Sequence, residues 1–252
     1  MASHWFRRFG PAAPSGAPRL ICLPHAGGAA SAYLALSREL TPEFDVLAVQ
    51  YPGRQDRRME QPVESIHGLV SGLLEELLAL DGRPFAFFGH SMGAVIAYEV
   101  TRELERRSEP GPERLFLSGR FAPTPQGGAS DRLRTDAQII AMIRRLGGTV
   151  GQVFDDPDLL EMVMPPLRAD YRAIGSYTWR AGPLLSVPLT ILVGDQDPVV
   201  PVEAADAWRG HTRAASELRV LPGGHFYLDQ NTDELARTVR TRFSPVPASD
   251  AA

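Results

Sequence analysis

The sequence predicts an α/β fold: a mostly parallel central sheet with helices on both faces and a helical lid inserted ahead of the last strands. Three observations carry this. Short apolar runs bounded by Gly, Pro or polar residues alternate with longer segments of helical period, as expected for strands buried on both faces. One stretch, 121–187, breaks that alternation with two helical patterns and no convincing strand. The chain has 252 residues, 44% hydrophobic and 22% charged, enough to bury one large core or two small ones. A single domain over 1–252 is therefore expected, with 121–187 as the insertion and 244–252 as a disordered tail.

The predicted strands are Leu20–Leu23, Val46–Gln50, Phe85–Gly89, Leu115–Ser118, Leu189–Gly194 and Leu218–Leu221. Between the second and third, Ile66, Leu69, Val70, Leu73, Leu74, Leu77 and Leu78 recur at three and four residues, the apolar stripe of one helix. Gly82 is expected to close it and Pro84 to prevent its continuation. A second helix should run from Met92 to Arg107, with Val95, Tyr98 or Val100 inward. In the insertion, Asp156 before Pro157 marks a helix start, and the residues from Leu159 to Leu167 are unusually apolar. Pro165 and Pro166 should kink or end that helix, which serves either as core or as an adaptable, Met-rich cover. A last helix should begin at Asn231 or Thr232 and fade before Pro245.

Charge and cysteine usage narrow the function classes. A net charge of −4, with arginines scattered along the chain, offers no basic field to a nucleic-acid backbone. The single cysteine, Cys22, lies in an apolar run and has no partner for an internal disulfide, so a reducing, cytoplasmic setting is expected. Met1 to Gly10 contains no continuous apolar segment, and no stretch reaches the roughly 20 apolar residues of a membrane span. A soluble, unprocessed monomer is the expectation.

The chemistry centres on Gly89-His90-Ser91-Met92-Gly93, directly after the apolar strand and directly before a helical pattern. Small residues flanking the serine let the backbone turn sharply enough to present the hydroxyl above the sheet, the layout of a nucleophile elbow. Serine is a poor nucleophile at neutral pH, so an imidazole held in one tautomer must take its proton. Of six histidines, His225 is the best placed, in Pro222-Gly223-Gly224-His225-Phe226 after the final strand. His4, His67 and His211 suit solvated or hydrogen-bonded surface roles, and His90 suits packing. Gly194-Asp195-Gln196-Asp197-Pro198 supplies the orienting acid in the chain order Ser, Asp, His. Asp197 is the choice; Asp195, nearer the strand, fits a turn residue that holds backbone amides. Ser118-Gly119-Arg120, after another strand, offers no carboxylate.

Donors for a developing oxyanion are expected from the backbone N–H of Met92 and, from Pro24-His25-Ala26-Gly27-Gly28, that of Ala26. The alternatives for this loop are a simple Gly-rich turn or a phosphate cradle, although it lacks the lysine and spacing of a P-loop.

With those residues in view, the sequence resembles the type II thioesterases, stand-alone α/β-hydrolases that accompany modular polyketide and nonribosomal peptide synthases. The resemblance spans nearly the whole chain. It rests on Leu23-Pro24-His25-Ala26-Gly27-Gly28, Tyr51-Pro52-Gly53-Arg54, Gly89-His90-Ser91-Met92-Gly93, Gly194-Asp195-Gln196-Asp197-Pro198 and Gly223-Gly224-His225-Phe226. It implies the α/β-hydrolase fold with a helical lid. It also implies hydrolysis of an acyl thioester on the phosphopantetheine arm of an acyl or peptidyl carrier protein, and no metal or cofactor. Arg54, Arg57 and Arg58 are either a docking site for an acidic carrier protein or part of a solvated loop. Other readings are a carboxylesterase or lipase using the same triad on oxygen esters, an acyltransferase, or a carrier-binding module without catalysis. The His25-Ala26-Gly27-Gly28 loop departs from the His-Gly-Gly-Gly of many lipases.

Overall fold

The computed structural model describes residues 4–125, 131–133, 135–147 and 156–243. Seven strands form one sheet in the order β1-β3-β2-β4-β5-β6-β7, namely β1 Phe6–Arg7, β2 Arg19–Leu23, β3 Asp45–Val49, β4 Phe85–His90, β5 Arg114–Ser118, β6 Leu189–Gly194 and β7 Ser216–Leu221. All neighbours are parallel except β1, which pairs antiparallel with β3 through Phe6 opposite Val49. The predicted strands are thus present within two residues at their ends, and β1 is an addition. Two residues, Phe6 and Arg7, are too short for any alternation to register. β7 departs from the expectation of a strand buried on both faces: as an edge strand it is only partly covered over most of its length, and Val220 is exposed.

The helices are α1 Leu34–Leu40, α2 Ile66–Leu78, α3 Met92–Arg107, α4 Asp136–Leu146, α5 Pro157–Ser176, α6 Val202–Asp206 and α7 Thr232–Arg242. Side chains alternate across the sheet with period two, and this divides the core. Ile21 and Leu23 of β2 join a layer built with α2, α3, α4 and α5, while Leu20 and Cys22 join a second layer with α1 and α7. Both faces of the sheet are therefore covered.

Two helix ends differ from the sequence expectation. α2 stops at Leu78 and is capped by Ala79, four residues before Gly82. Its start is conventional, with the Ser65 side chain accepting from the Gly68 amide. The segment between α2 and β4 is instead fixed by Asp81, whose backbone oxygen accepts from Arg19 and whose carboxylate accepts from Arg83. α5 does not end at Pro165 and Pro166 but continues to Ser176. Each proline removes one intrahelical bond, yet Met164, Leu167, Tyr171 and Ile174 are all buried around them. Their packing holds the helix across the gap. Asp156 caps it as expected, accepting from the amides of Asp158 and Leu159. The predicted tail 244–252 lies outside the described residues.

The sheet order reverses direction at β2, whose neighbours are β3 on one side and β4 on the other. The carboxyl ends of strands at such a reversal open a crevice where ligands bind in open α/β sheets. Ala26 follows β2 and Ser91 follows β4, so both candidate groups sit at that crevice.

Candidate active site

The backbone at the Ser91 turn is strained. Ser91 adopts φ 54° and ψ −114°, a region that a side-chain-bearing residue occupies at a cost of about 1–3 kcal/mol. Its amide is anchored to the carbonyl of Ser118 at 2.8 Å. The flanking glycines are required by close approach. A Cβ on Gly89 would lie 2.3 Å from the Gly93 carbonyl oxygen, and one on Gly93 would lie 2.0 Å from that of Leu23. Met92 is the first residue of α3, so its N–H is one of the first-turn donors with no acceptor inside the helix. The partial positive charge of the helix start adds to it.

Asp197 and His225 come from loops that follow adjacent strands and are stitched together. Asp195 N–H donates to the Leu221 carbonyl at 2.9 Å, and Gln196 N–H to that of Gly223 at 3.0 Å. The Asp195 carboxylate accepts from the Gly223 amide at 2.8 Å. Gly194 permits this contact, since a Cβ there would stand 2.4 Å from the carbonyl oxygens of Gly223 and Gly224. Asp197 Oδ2 then meets His225 Nδ1 at 2.7 Å, with both side chains almost wholly buried. Its other oxygen, Oδ1, accepts from the amides of Val199 and Val200 at 2.9 and 3.0 Å. The carboxylate is fixed at three points, and an acceptor in this place favours the imidazole tautomer that carries its proton on Nδ1.

Ser91, His225, Ala26 and Met92 line one cavity, whose remaining wall comes from Gly119, Arg120, Phe121 and residues of the inserted segment such as Met142, Tyr171 and Ile174. Arg120 is neutralised in that wall by a bidentate pair with Asp131 at 2.8 and 2.6 Å, and its guanidinium lies over the Phe121 ring. The lining thus mixes apolar side chains with Ser91, His225 and one internally paired Arg–Asp couple.

His90 takes the packing role expected of it, within a row of buried rings. His25, His90 and His225 pack in succession, with ring centres 5.9 Å and 4.9 Å apart, and Phe226 contacts all three. Burial, then the charges of His225 and Arg54, push the His25 pKa down to about 3. Burial likewise holds His90 well below the usual imidazole range. His90 Nδ1 pairs with Ser118 Oγ at 2.9 Å, and that hydroxyl pairs with Tyr227 at 2.5 Å. His211 is half-buried among Tyr98, Trp179 and Trp208 and pairs with the Tyr98 hydroxyl at 3.2 Å.

Arg54 and Arg57 are neither a docking patch nor a solvated loop. Arg54 is buried against Asp170, which is itself 0% exposed. Arg57 is buried between the Gln50 carbonyl, Glu60 and the ring of Trp5. Only Arg58 of the three reaches solvent. Asp170 was not anticipated from the sequence; its one signal is a carboxylate amid the apolar spacing of Leu167, Tyr171 and Ile174.

A strained serine between strand and helix, lining the same cavity as an Asp-bound imidazole at the crevice of a parallel sheet, defines the class: a serine hydrolase of the α/β-hydrolase fold. Comparison with known proteins narrows it. The thioesterase-domain family matches residues 18–243. Thioesterase PikA5 of Streptomyces venezuelae is 45% identical over 240 residues, covering 93% of this chain and 84% of that protein. A probable cadicidin biosynthesis thioesterase of Streptomyces griseus is 43% identical over 251 residues, 100% of this chain and 69% of that protein. Among solved structures, the type II thioesterase BorB from the borrelidin biosynthetic cluster superposes with a TM-score of 0.86 at 44% identity, covering 96% of this chain and 98% of BorB. The chain belongs to the thioesterase family, and within it to the type II thioesterases. No helix among the described residues is long and apolar enough to cross a membrane.

Proposed function

We propose that this protein hydrolyses acyl thioesters borne on the phosphopantetheine arm of an acyl or peptidyl carrier protein of a polyketide or nonribosomal peptide synthase, clearing stalled or mis-primed acyl groups. The observation that carries the reading is the 2.7 Å contact between His225 Nδ1 and Asp197 Oδ2, in a cavity that both His225 and Ser91 line. His225 Nε2 takes the Ser91 proton as Oγ attacks the thioester carbonyl, and the amides of Ala26 and Met92 receive the developing oxyanion. The C–S bond then breaks, and His225 passes its proton to the departing pantetheine thiol. Water, deprotonated by the same nitrogen, releases the acid from the acyl-serine and returns the proton to Ser91. No metal or cofactor takes part.

Within the inserted segment, α4 and α5 act as the lid, since Met142, Leu146, Tyr171 and Ile174 contribute to the cavity wall. Names among the relatives support the setting: YbtT is described as a type II thioesterase from the yersiniabactin NRPS/PKS pathway, at 31% identity and a TM-score of 0.82. The test is a panel of carrier proteins loaded with different acyl groups, with release followed by mass spectrometry. Release that depends on Ser91 is expected. Turnover of p-nitrophenyl esters without release from any carrier would favour a carboxylesterase instead.

A further inference from the structure

The Tyr51-Pro52-Gly53-Arg54 stretch takes no part in the chemistry above, yet it is packed against the loop that supplies Ala26. Tyr51 hydroxyl donates to the Pro24 carbonyl at 3.3 Å, and Gln50 Oε1 accepts from the Ala30 amide at 2.8 Å. Arg54 Nη1 donates to the Gly28 carbonyl at 3.0 Å and to Asp170 Oδ2 at 2.7 Å, while Nη2 donates to Asp170 Oδ1 at 2.9 Å. The same Asp170 Oδ2 accepts from the Gly27 amide at 2.7 Å. The carboxylate and guanidinium therefore clasp the loop at two successive residues, one by its N–H and one by its C=O.

This fixes the peptide that matters. The His25 carbonyl accepts from the Gly28 amide at 2.9 Å, which orients the His25–Ala26 peptide plane. In a trans peptide the Ala26 N–H points opposite to that carbonyl. The two donors that follow Ala26 are committed to Asp170 and His25, and Ala26 itself lines the cavity. α5 presses on the same turn: Gly27 has φ +76°, and a Cβ there would stand 2.2 Å from Leu167 Cδ2. A wholly buried ion pair is a weak source of stability compared with an apolar pair of similar volume. Ordering a polar loop, by contrast, requires the hydrogen bonds that only such a pair supplies.

We propose that Arg54 and Asp170 are positioning residues for the hydrolysis, holding the 25–28 loop so that the Ala26 amide is aimed at the thioester carbonyl oxygen. The assignment rests on the Ser91 mechanism given above. It makes the aim of that amide depend on a residue of α5, within the inserted segment.

The experiment compares wild type, Arg54→Met/Asp170→Leu, Arg54→Lys and Ser91→Ala with an acyl-pantetheine thioester, recording kcat, KM, thermal midpoint and the rate of Ser91 labelling by a fluorophosphonate. The double variant leaves no buried charge unpaired. In its folded form kcat and the labelling rate are expected to fall together by on the order of 100-fold, the effect of misaiming a group by about 1 Å, with KM little changed. A pair with a purely structural role would lower the midpoint and leave kcat per folded molecule intact, and that result overturns the proposal. Should the double variant fail to fold, Arg54→Lys decides. It keeps the charge but cannot span both Asp170 and the Gly28 carbonyl, so wild-type kcat in this variant is equally fatal. A Ser91→Ala protein that still turns over would sink the mechanism itself. An inactive Ser91→Ala beside fully active pair variants would sink only the positioning role.

Discussion

Gly93 and the carbonyl of Leu23 approach so closely that a single methyl on Gly93 would sit 2.0 Å from the oxygen. The first turn of α3 is thereby locked onto the end of β2, and Met92 and Ala26 line one cavity. Because the obstacle is backbone and not a side-chain tip, Gly93→Ala has no easy relaxation. It should destabilise the protein by about 3 kcal/mol, the upper part of the range for overpacking. Urea unfolding of the variant checks this, and an unchanged midpoint would refute the contact.

Ser91 pays in backbone strain for its exposure at the turn, with φ 54°. Ser91→Gly relieves that strain and should raise stability by about 1 kcal/mol, while turnover falls on the order of 10⁶-fold, as in other serine hydrolases that lose the nucleophile. Calorimetry paired with a thioester assay reads both. A variant less stable than wild type would show that the turn is not strained.

The two acids of the 194–198 loop should separate cleanly. Asp197→Asn leaves the shape intact but favours the wrong tautomer of His225, and kcat is expected to drop about 10⁴-fold, by analogy with the same change in a serine protease triad. Asp195→Asn weakens one bond to the Gly223 amide and should cost about 1 kcal/mol of stability with far less effect on kcat. Equal losses of kcat in the two variants would contradict the geometry.

Acid stability follows from the neutral histidines. His25 is held near pKa 3 when folded, against 6.5 for its ordinary value, and His90 is displaced in the same direction. The unfolded chain therefore binds more protons below about pH 6.5, so stability must decline as pH falls. Each such histidine contributes roughly 1.4 kcal/mol per pH unit, and for His25 the decline levels off only near pH 3. Urea midpoints at pH 7, 6 and 5 should fall in step, and His25→Asn should flatten the slope. A slope that is unaltered by this substitution would mean that His25 is protonated in the fold.

Pocket shape offers a further test. Met142 and Ile174 line the same cavity as Ser91 and His225. Met142→Ala should shift the ratio of kcat/KM toward longer acyl chains by about 10-fold, the scale set by one or two methylenes in an apolar site. An unchanged chain-length profile would place the acyl group elsewhere.

Much of this arrangement was legible in the sequence because the local rules are strong. Strands buried on both faces read as short apolar runs, and the Ser91 turn is announced by its glycines. Asp197 could be preferred over Asp195 by distance from the strand alone. What escaped was long-range. Arg54 reads as a surface cation, since nothing local reveals that Asp170, 116 residues later, is waiting in the interior. Pro165 and Pro166 read as a helix kink or end, and the end is ruled out because buried neighbours span the missing bonds. Gly82 reads as a helix stop, yet Arg19 and Arg83 had already fixed that segment through Asp81.

Leu167 and Asp170 stand one helical turn apart on α5, and both touch Gly27. Any outward swing of that helix withdraws an acceptor and a steric brace from the loop in the same stroke. One helix thus sets both the hydrogen bonding and the shape of a turn 143 residues away in the chain, so a substitution in α5 would be felt beside the end of β2.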